Sequence, residues 1–125
     1  MQTTEITRDQ WVPFLDAFST QHAGWIVTVE VLGSEIGDQQ EASGLPLVGI
    51  GADTKDGESR IEIMLGGRPG AHLTHIIGTP RHVWVEQSAE PAQDAVAIES
   101  DDTTTILRFH YVPPTRIDRQ LPGKP

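Results

Sequence analysis

The sequence predicts an α+β domain, with one N-terminal amphipathic helix packed on an antiparallel sheet of six or seven short strands. Apolar residues first recur at helical spacing, with Trp11, Phe14, Leu15 and Phe18 at i, i+3, i+4 and i+7. From Trp25 onward the period changes to two, and the alternating runs are separated by turn-forming residues. One helix followed only by hairpins is the α+β pattern.

In chain order, Thr7 stands at the N-cap of the helix with Gln10 three residues on, a capping-box spacing, and Gly24 marks its end. Pro13 sits past the first turn of a helix capped at Thr7 and would remove a hydrogen bond there. Either the helix kinks, or a separate first turn precedes a helix that starts near Pro13. The run WIVTVEVL then sets Trp25, Val27, Val29 and Val31 on one face, with Thr28 and Glu30 on the other. The polar stretch from Ile36 to Gly44 reads as a loop. LPLVGIGADTKDGESRIEIML reads as a hairpin turning at Lys55-Asp56-Gly57, its second arm alternating Ile61, Ile63 and Leu65 with Arg60 and Glu62. GGRPGA is a loop by composition. Strands near Leu73–Ile77 and Arg81–Gln87 follow, broken by Gly78 and Pro80, and a last hairpin pairs AVAIES with TTILRFHYV around Asp101 and Asp102. Residues 1–112 form one domain, and residues 113–125 form a basic, proline-rich C-terminal tail.

Composition narrows the function. At 125 residues the chain is long enough for one real core without staples. It has no cysteine, which removes disulfides, thiolate catalysis and cysteine-based zinc sites. Eighteen acidic residues against nine basic ones give a net charge of −9, which disfavours nucleic acid and anionic membrane as partners. No apolar run approaches the roughly 20 residues needed to span a bilayer, and MQTTEITRDQ lacks the features of a signal peptide, so a cytoplasmic protein is expected. The charge is uneven: from Pro113 to Pro125 the tail holds Arg116, Arg119 and Lys124 against the single Asp118. No cofactor is expected. LVGIGADT has Gly49 and Gly51, but Thr54 stands where a dinucleotide fingerprint needs a third small residue.

The candidate chemistry lies in AHLTHIIGTPRHVWVEQ, which places His72, His75 and His82 close in sequence. On a helix His72 and His75 would share a face, but on a strand positions i and i+3 point to opposite faces, and His82 belongs to the next strand. These three are therefore weak candidates for metal ligation, and no metal is expected. If Val83 and Val85 point inward, His82, Trp84 and Glu86 point outward. If Leu107, Phe109 and Tyr111 point inward, Ile106, Arg108 and His110 point outward. Were those two strands neighbours, His82, Glu86, Arg108 and His110 would gather into a set able to do acid–base work or hold a small anion. The same face also serves as an ordinary cross-strand charge array around a tryptophan at a protein contact.

Several segments together carry a resemblance: ITRDQWVPFLDAFSTQHAGW, LPLVGIGAD, HLTHII, PRHVWVE and AIESDDTTTILRF. In order and spacing, from about Ile6 to Phe109, they resemble a small uncharacterised bacterial protein family known only as a domain of unknown function. The resemblance implies a one-domain cytoplasmic bacterial protein and brings no activity or catalytic residues. One departure is Asp102-Thr103 in the last hairpin, where the family pattern implies an aspartate-glycine turn.

The residues favour a non-enzymatic interaction module, most simply a homodimer. Trp84 and Ile106 would form the contact, and Arg116 and Arg119 of the tail would cross to an acidic surface. The alternatives are a small-molecule or metal-dependent enzyme using the His/Glu/Arg set, and an acidic inhibitor steered onto a basic protein partner.

Overall fold

Why a helix should start at Trp11 despite Pro13 is answered by the backbone around it. In the computed structural model, which describes residues 2–33, 37–55, 58–66, 72–87 and 93–110, strand β1 (Gln2–Ile6) leads into a 3-10 turn (Arg8–Gln10) and then helix α1 (Trp11–Gln21). Pro13 is the third residue of α1, where backbone N–H groups have no intrahelical acceptor anyway. The separate first turn is thus the arrangement adopted. The capping box expected at Thr7 does not form, because Thr7 caps the 3-10 turn without a side-chain bond to backbone. Its hydroxyl donates instead to Asp9 Oδ1 at 2.7 Å, and this bond holds the Asp9 carboxyl below its ordinary range. At the other end Gly24, with φ of 84°, supplies the left-handed turn that ends the helix and donates its N–H to the Leu47 carbonyl at 2.9 Å.

The remaining elements are β2 (Ile26–Gly33), β3 (Gly37–Asp53), β4 (Arg60–Gly66), β5 (His72–Gly78), β6 (His82–Gln87), β7 (Gln93–Glu99) and β8 (Thr103–His110). They form one antiparallel sheet in the order β1-β6-β7-β8-β2-β3-β4-β5. The sheet has eight strands rather than six or seven. The extra strand is β1, whose sequence QTTEI carries almost no apolar alternation and joins the edge by backbone pairing from Gln2↔Gln87 to Ile6↔Val83.

A second difference is that residues 37–44, expected as a loop, are the first part of β3. Most of this segment is polar, and the Gly37–Gln40 part is exposed, but β2 supplies a ladder from Gly33↔Gly37 to Val29↔Ala42. Backbone pairing alone satisfies a strand that reaches into water, so apolar periodicity is not required there. The 17-residue β3 then bends: register shifts disturb its pairing with β2, Gly44 adopts φ of 69°, and the second part pairs with β4. This strand carries the sheet around from one half to the other.

The inward residues belong to one contiguous core. It contains Val27 and Val29 of β2, Ile61, Ile63 and Leu65 of β4, Val83 and Val85 of β6, Val96 and Ile98 of β7, and Leu107 and Phe109 of β8. Trp11, Leu15 and Phe18 of α1 join it, while Phe14 packs at its margin. Strands from both ends of the order share this core, so the sheet curls over its own inner face and α1 closes it beside β3.

The link from β5 to β6 holds the one described non-glycine residue with positive φ, Thr79 at 46°. A β-branched side chain disfavours the left-handed region, and the following Pro80 disfavours it further. The exposed Thr79 is held by its N–H bond to the Ser59 carbonyl at 3.1 Å. Thr79→Gly removes the steric penalty of roughly 1–2 kcal/mol but adds unfolded-state entropy. The expected net result is a gain of about 0.5–1 kcal/mol in urea unfolding; a loss of that size would show that the threonine side chain is itself stabilising.

Candidate functional site

The alternation that buries Val83, Val85, Leu107 and Phe109 turns the intervening side chains to the outer face, as their spacing predicts. Register defines the rows there. Trp84 lies opposite Glu5 of β1 on one side and Ala97 of β7 on the other, and Ala97 in turn opposes Ile106, which opposes Glu30 of β2. The parallel row on one side runs Thr3, Glu86, Ala95, Arg108, Thr28, and the row on the other side runs His82, Glu99, Thr104, Leu32. Trp84 and Ile106 are half-buried, and the small Ala95 and Ala97 lie between their strands. The centre of this face is therefore a shallow apolar strip.

Ion pairs border it. His82 Nδ1 lies 2.7 Å from Glu5 Oε2, its Nε2 lies 3.9 Å from Glu99 Oε1, and its ring stacks on Trp84 with centroids 5.2 Å apart. This imidazole thus ties β1 to β6 and β7. Arg108 Nε donates to Glu30 Oε1 at 3.3 Å. Beyond the strip, Arg81 Nε donates to Asp101 Oδ1 at 2.6 Å, a bond that raises the arginine above its ordinary value.

The four weak catalytic candidates share the outer face but are spread across it. β7 stands between β6 and β8, which places those two strands roughly 10 Å apart. His82 and Glu86 are four residues apart on one strand, roughly 13 Å. His82 is engaged by Glu5 and Glu99, Arg108 by Glu30, and His110 lies in a further row with Ile26 and Gln93. Of the metal candidates, His72 and His75 occupy opposite faces of β5, and His82 is on β6. Among the described residues no group of three or more His, Asp or Glu side chains is arranged to hold a metal ion. Trp84 and Ile106 fall in one row, while Arg116 and Arg119 lie outside the described residues.

A second cluster was not expected. His22, 4% exposed at the C-cap of α1, places Nδ1 2.9 Å from the Phe18 carbonyl and Nε2 3.0 Å from Asp94 Oδ2 on β7. A carbonyl oxygen only accepts, so Nδ1 carries a hydrogen, and a single proton serves the contact between Nε2 and the carboxyl. Aromatic rings surround the imidazole: Phe18 stacks on it at 3.8 Å, Trp25 lies at 4.4 Å and Phe109 at 5.4 Å. The pair pins the end of the helix to the sheet. Two signals mark it in the sequence. His22 continues the helical stripe of Trp11, Leu15 and Phe18, and Asp94 occupies the inward phase of Asp94, Val96 and Ile98.

Among the described residues no helix is long and apolar enough to cross a membrane. Comparison with known proteins agrees with the resemblance read from the segments between Ile6 and Phe109. An uncharacterized protein of Aquifex aeolicus (strain VF5) is 31% identical over 109 residues, covering 87% of this chain and 93% of that protein. No solved structure matches. A family of unknown function (DUF5335) matches residues 2–118, nearly the whole chain. The chain belongs to that family.

Proposed function

We propose that the chain is a non-enzymatic interaction module that associates with a second copy of itself through the outer face of β6, β7 and β8. The observation that carries this reading is the row Trp84, Ala97, Ile106, an apolar strip bordered by paired charges. An apolar centre inside a polar rim is the anatomy of protein contacts, and tryptophan is the side chain most enriched at their energetic centres.

Charge favours a second copy as occupant. Glu5, Glu30, Glu86 and Glu99 surround the strip, and the basic tail with Arg116, Arg119 and Lys124 follows β8, which contributes to the same face. Extended, the residues after His110 reach up to roughly 50 Å, far enough to cross to a neighbour. Each copy then offers both an acidic rim and a basic arm, a self-complementary arrangement suited to two-fold symmetry. The enzymatic alternative needs His82, Glu86, Arg108 and His110 to converge, and the intervening β7 and the existing carboxylate partners favour the contact reading.

The expected result for Trp84→Ala is a rise of tenfold or more in the dimer dissociation constant, about 1.4 kcal/mol, with unchanged urea unfolding. Ending the chain at Val112 should weaken the dimer in a salt-dependent way. A wild-type chain that sediments as a monomer at high concentration would overturn the proposal.

A further inference from the structure

The sheet order leaves β5 at one end, with β4 as its only strand neighbour among the described residues. Edge strands expose unpaired backbone N–H and C=O groups, and proteins ordinarily blunt them with lysine, proline, inward-pointing charge or a bulge. The β5 strand, HLTHIIG, has none of these: it pairs with β4 in unbroken register from Arg60↔Gly78 to Gly66↔His72. Its outer side shows Ile76 at 55% exposure, diagonal to Met64 at 38%. Its inner side is also incompletely covered, with Leu73 and His75 half-exposed although Ile61, Ile63 and Leu65 on β4 are sealed. The opposite edge, β1, has five residues and carries Glu5.

We propose that two copies of the chain join through β5, edge to edge and antiparallel, making one continuous sheet. Electrostatics selects this edge for a contact between two copies. Two bodies of net charge −9 repel, so contact is least unfavourable where carboxylates are fewest. No Asp or Glu occurs between Glu62 and Glu86, the longest acid-free run in the chain, and β5 lies inside it. The ionisable side chains of β5 itself are His72 and His75.

The register follows from hydrogen-bond geometry. Directly opposed residues in an antiparallel pair are of the same bonding class, and the classes alternate along a strand. A two-fold axis between identical strands therefore lies midway between two copies of the same residue. Pairing all seven residues puts that axis at His75, which faces its own counterpart. Leu73 then opposes Ile77 of the second copy, and Thr74 opposes Ile76. The first pair covers the open inner side with apolar contact, and the second places a β-branched neighbour beside the exposed isoleucine. This contact uses the end of the sheet away from the Trp84 strip, so the two stand or fall separately.

The absence of native cysteine makes a register test possible. In the full chain, His75→Cys should form an intermolecular disulfide under mild oxidation, because opposed Cα atoms about 4.5–5.5 Å apart fall within disulfide range. Thr3→Cys on β1 should not. Thr74→Lys with Ile76→Lys, both at exposed positions, opposes lysines across the axis. That variant should stay folded and, combined with His75→Cys, suppress the cross-link. Trp84→Ala should leave the cross-link intact. A His75→Cys chain that stays uncrosslinked, or a double-lysine variant that still cross-links through Cys at that position, would overturn the proposal.

Discussion

Asp94→Ala should lower the unfolding free energy by about 3–5 kcal/mol, the range expected when one member of a buried pair is removed. His22 would be left 4% exposed, between three aromatic rings, with Nε2 deprived of the Asp94 carboxyl. Its Nδ1 bond to the Phe18 carbonyl would survive, since it depends on the helix end alone. His22→Ala should also be destabilising, because it takes the imidazole from the buried Asp94 carboxyl. Replacing both, with His22→Phe and Asp94→Val, removes the two polar groups together and should recover most of the loss. A double-mutant cycle by urea unfolding measures the coupling directly, and a coupling below about 0.5 kcal/mol would mean that the pair is incidental to stability. The exposed Arg81–Asp101 pair is the control. Its distance is shorter, at 2.6 Å, yet both side chains are more than half exposed, so Asp101→Ala should leave the urea midpoint close to that of the wild type. Burial, not distance, decides which pair matters.

Trp11→Ala is expected to cost about 3–5 kcal/mol, the range for deleting a large buried aromatic side chain. Trp11 is 1% exposed, and it does two jobs. Its ring begins the core stripe of α1, and its Nε1–H donates to the Ile6 carbonyl at 2.9 Å, fastening the end of β1. The guanidinium of Arg8 also lies over the ring, 5.1 Å from its centroid. Trp11→Phe separates the two jobs. It keeps most of the packing and loses the hydrogen bond, for a cost of about 1–2 kcal/mol, with hydrogen exchange in β1 rising more than in β2. Equal protection in both strands would show that β1 is held by its pairing with β6 alone.

The inner face was legible because burial imposes a period. Val27, Val29 and Val31, then Ile61, Ile63 and Leu65, then Val83 and Val85 alternate as the sheet requires, and all are buried. The same reasoning placed Trp84 and Ile106 outside. What escaped the sequence is held by backbone pairing or by distant partners. β1 and the first part of β3 carry few apolar residues, so their ladders leave no periodic trace. The outer face depends on strand order, which alternation does not encode: β7 separates His82 from Arg108, and β1 brings Glu5 to His82. His22 and Asp94 are separated by 72 positions, so each appears alone as a polar residue in an apolar phase. Two such anomalies on facing elements suggest a pair only once the elements are known to meet.

Light scattering of the full chain over a wide concentration range tests self-association. The expected mass is a multiple of the single chain, reduced by Trp84→Ala at the outer strip and by the Thr74→Lys, Ile76→Lys pair at the β5 edge. The mass of a single chain at every concentration up to the millimolar range would contradict both contacts together.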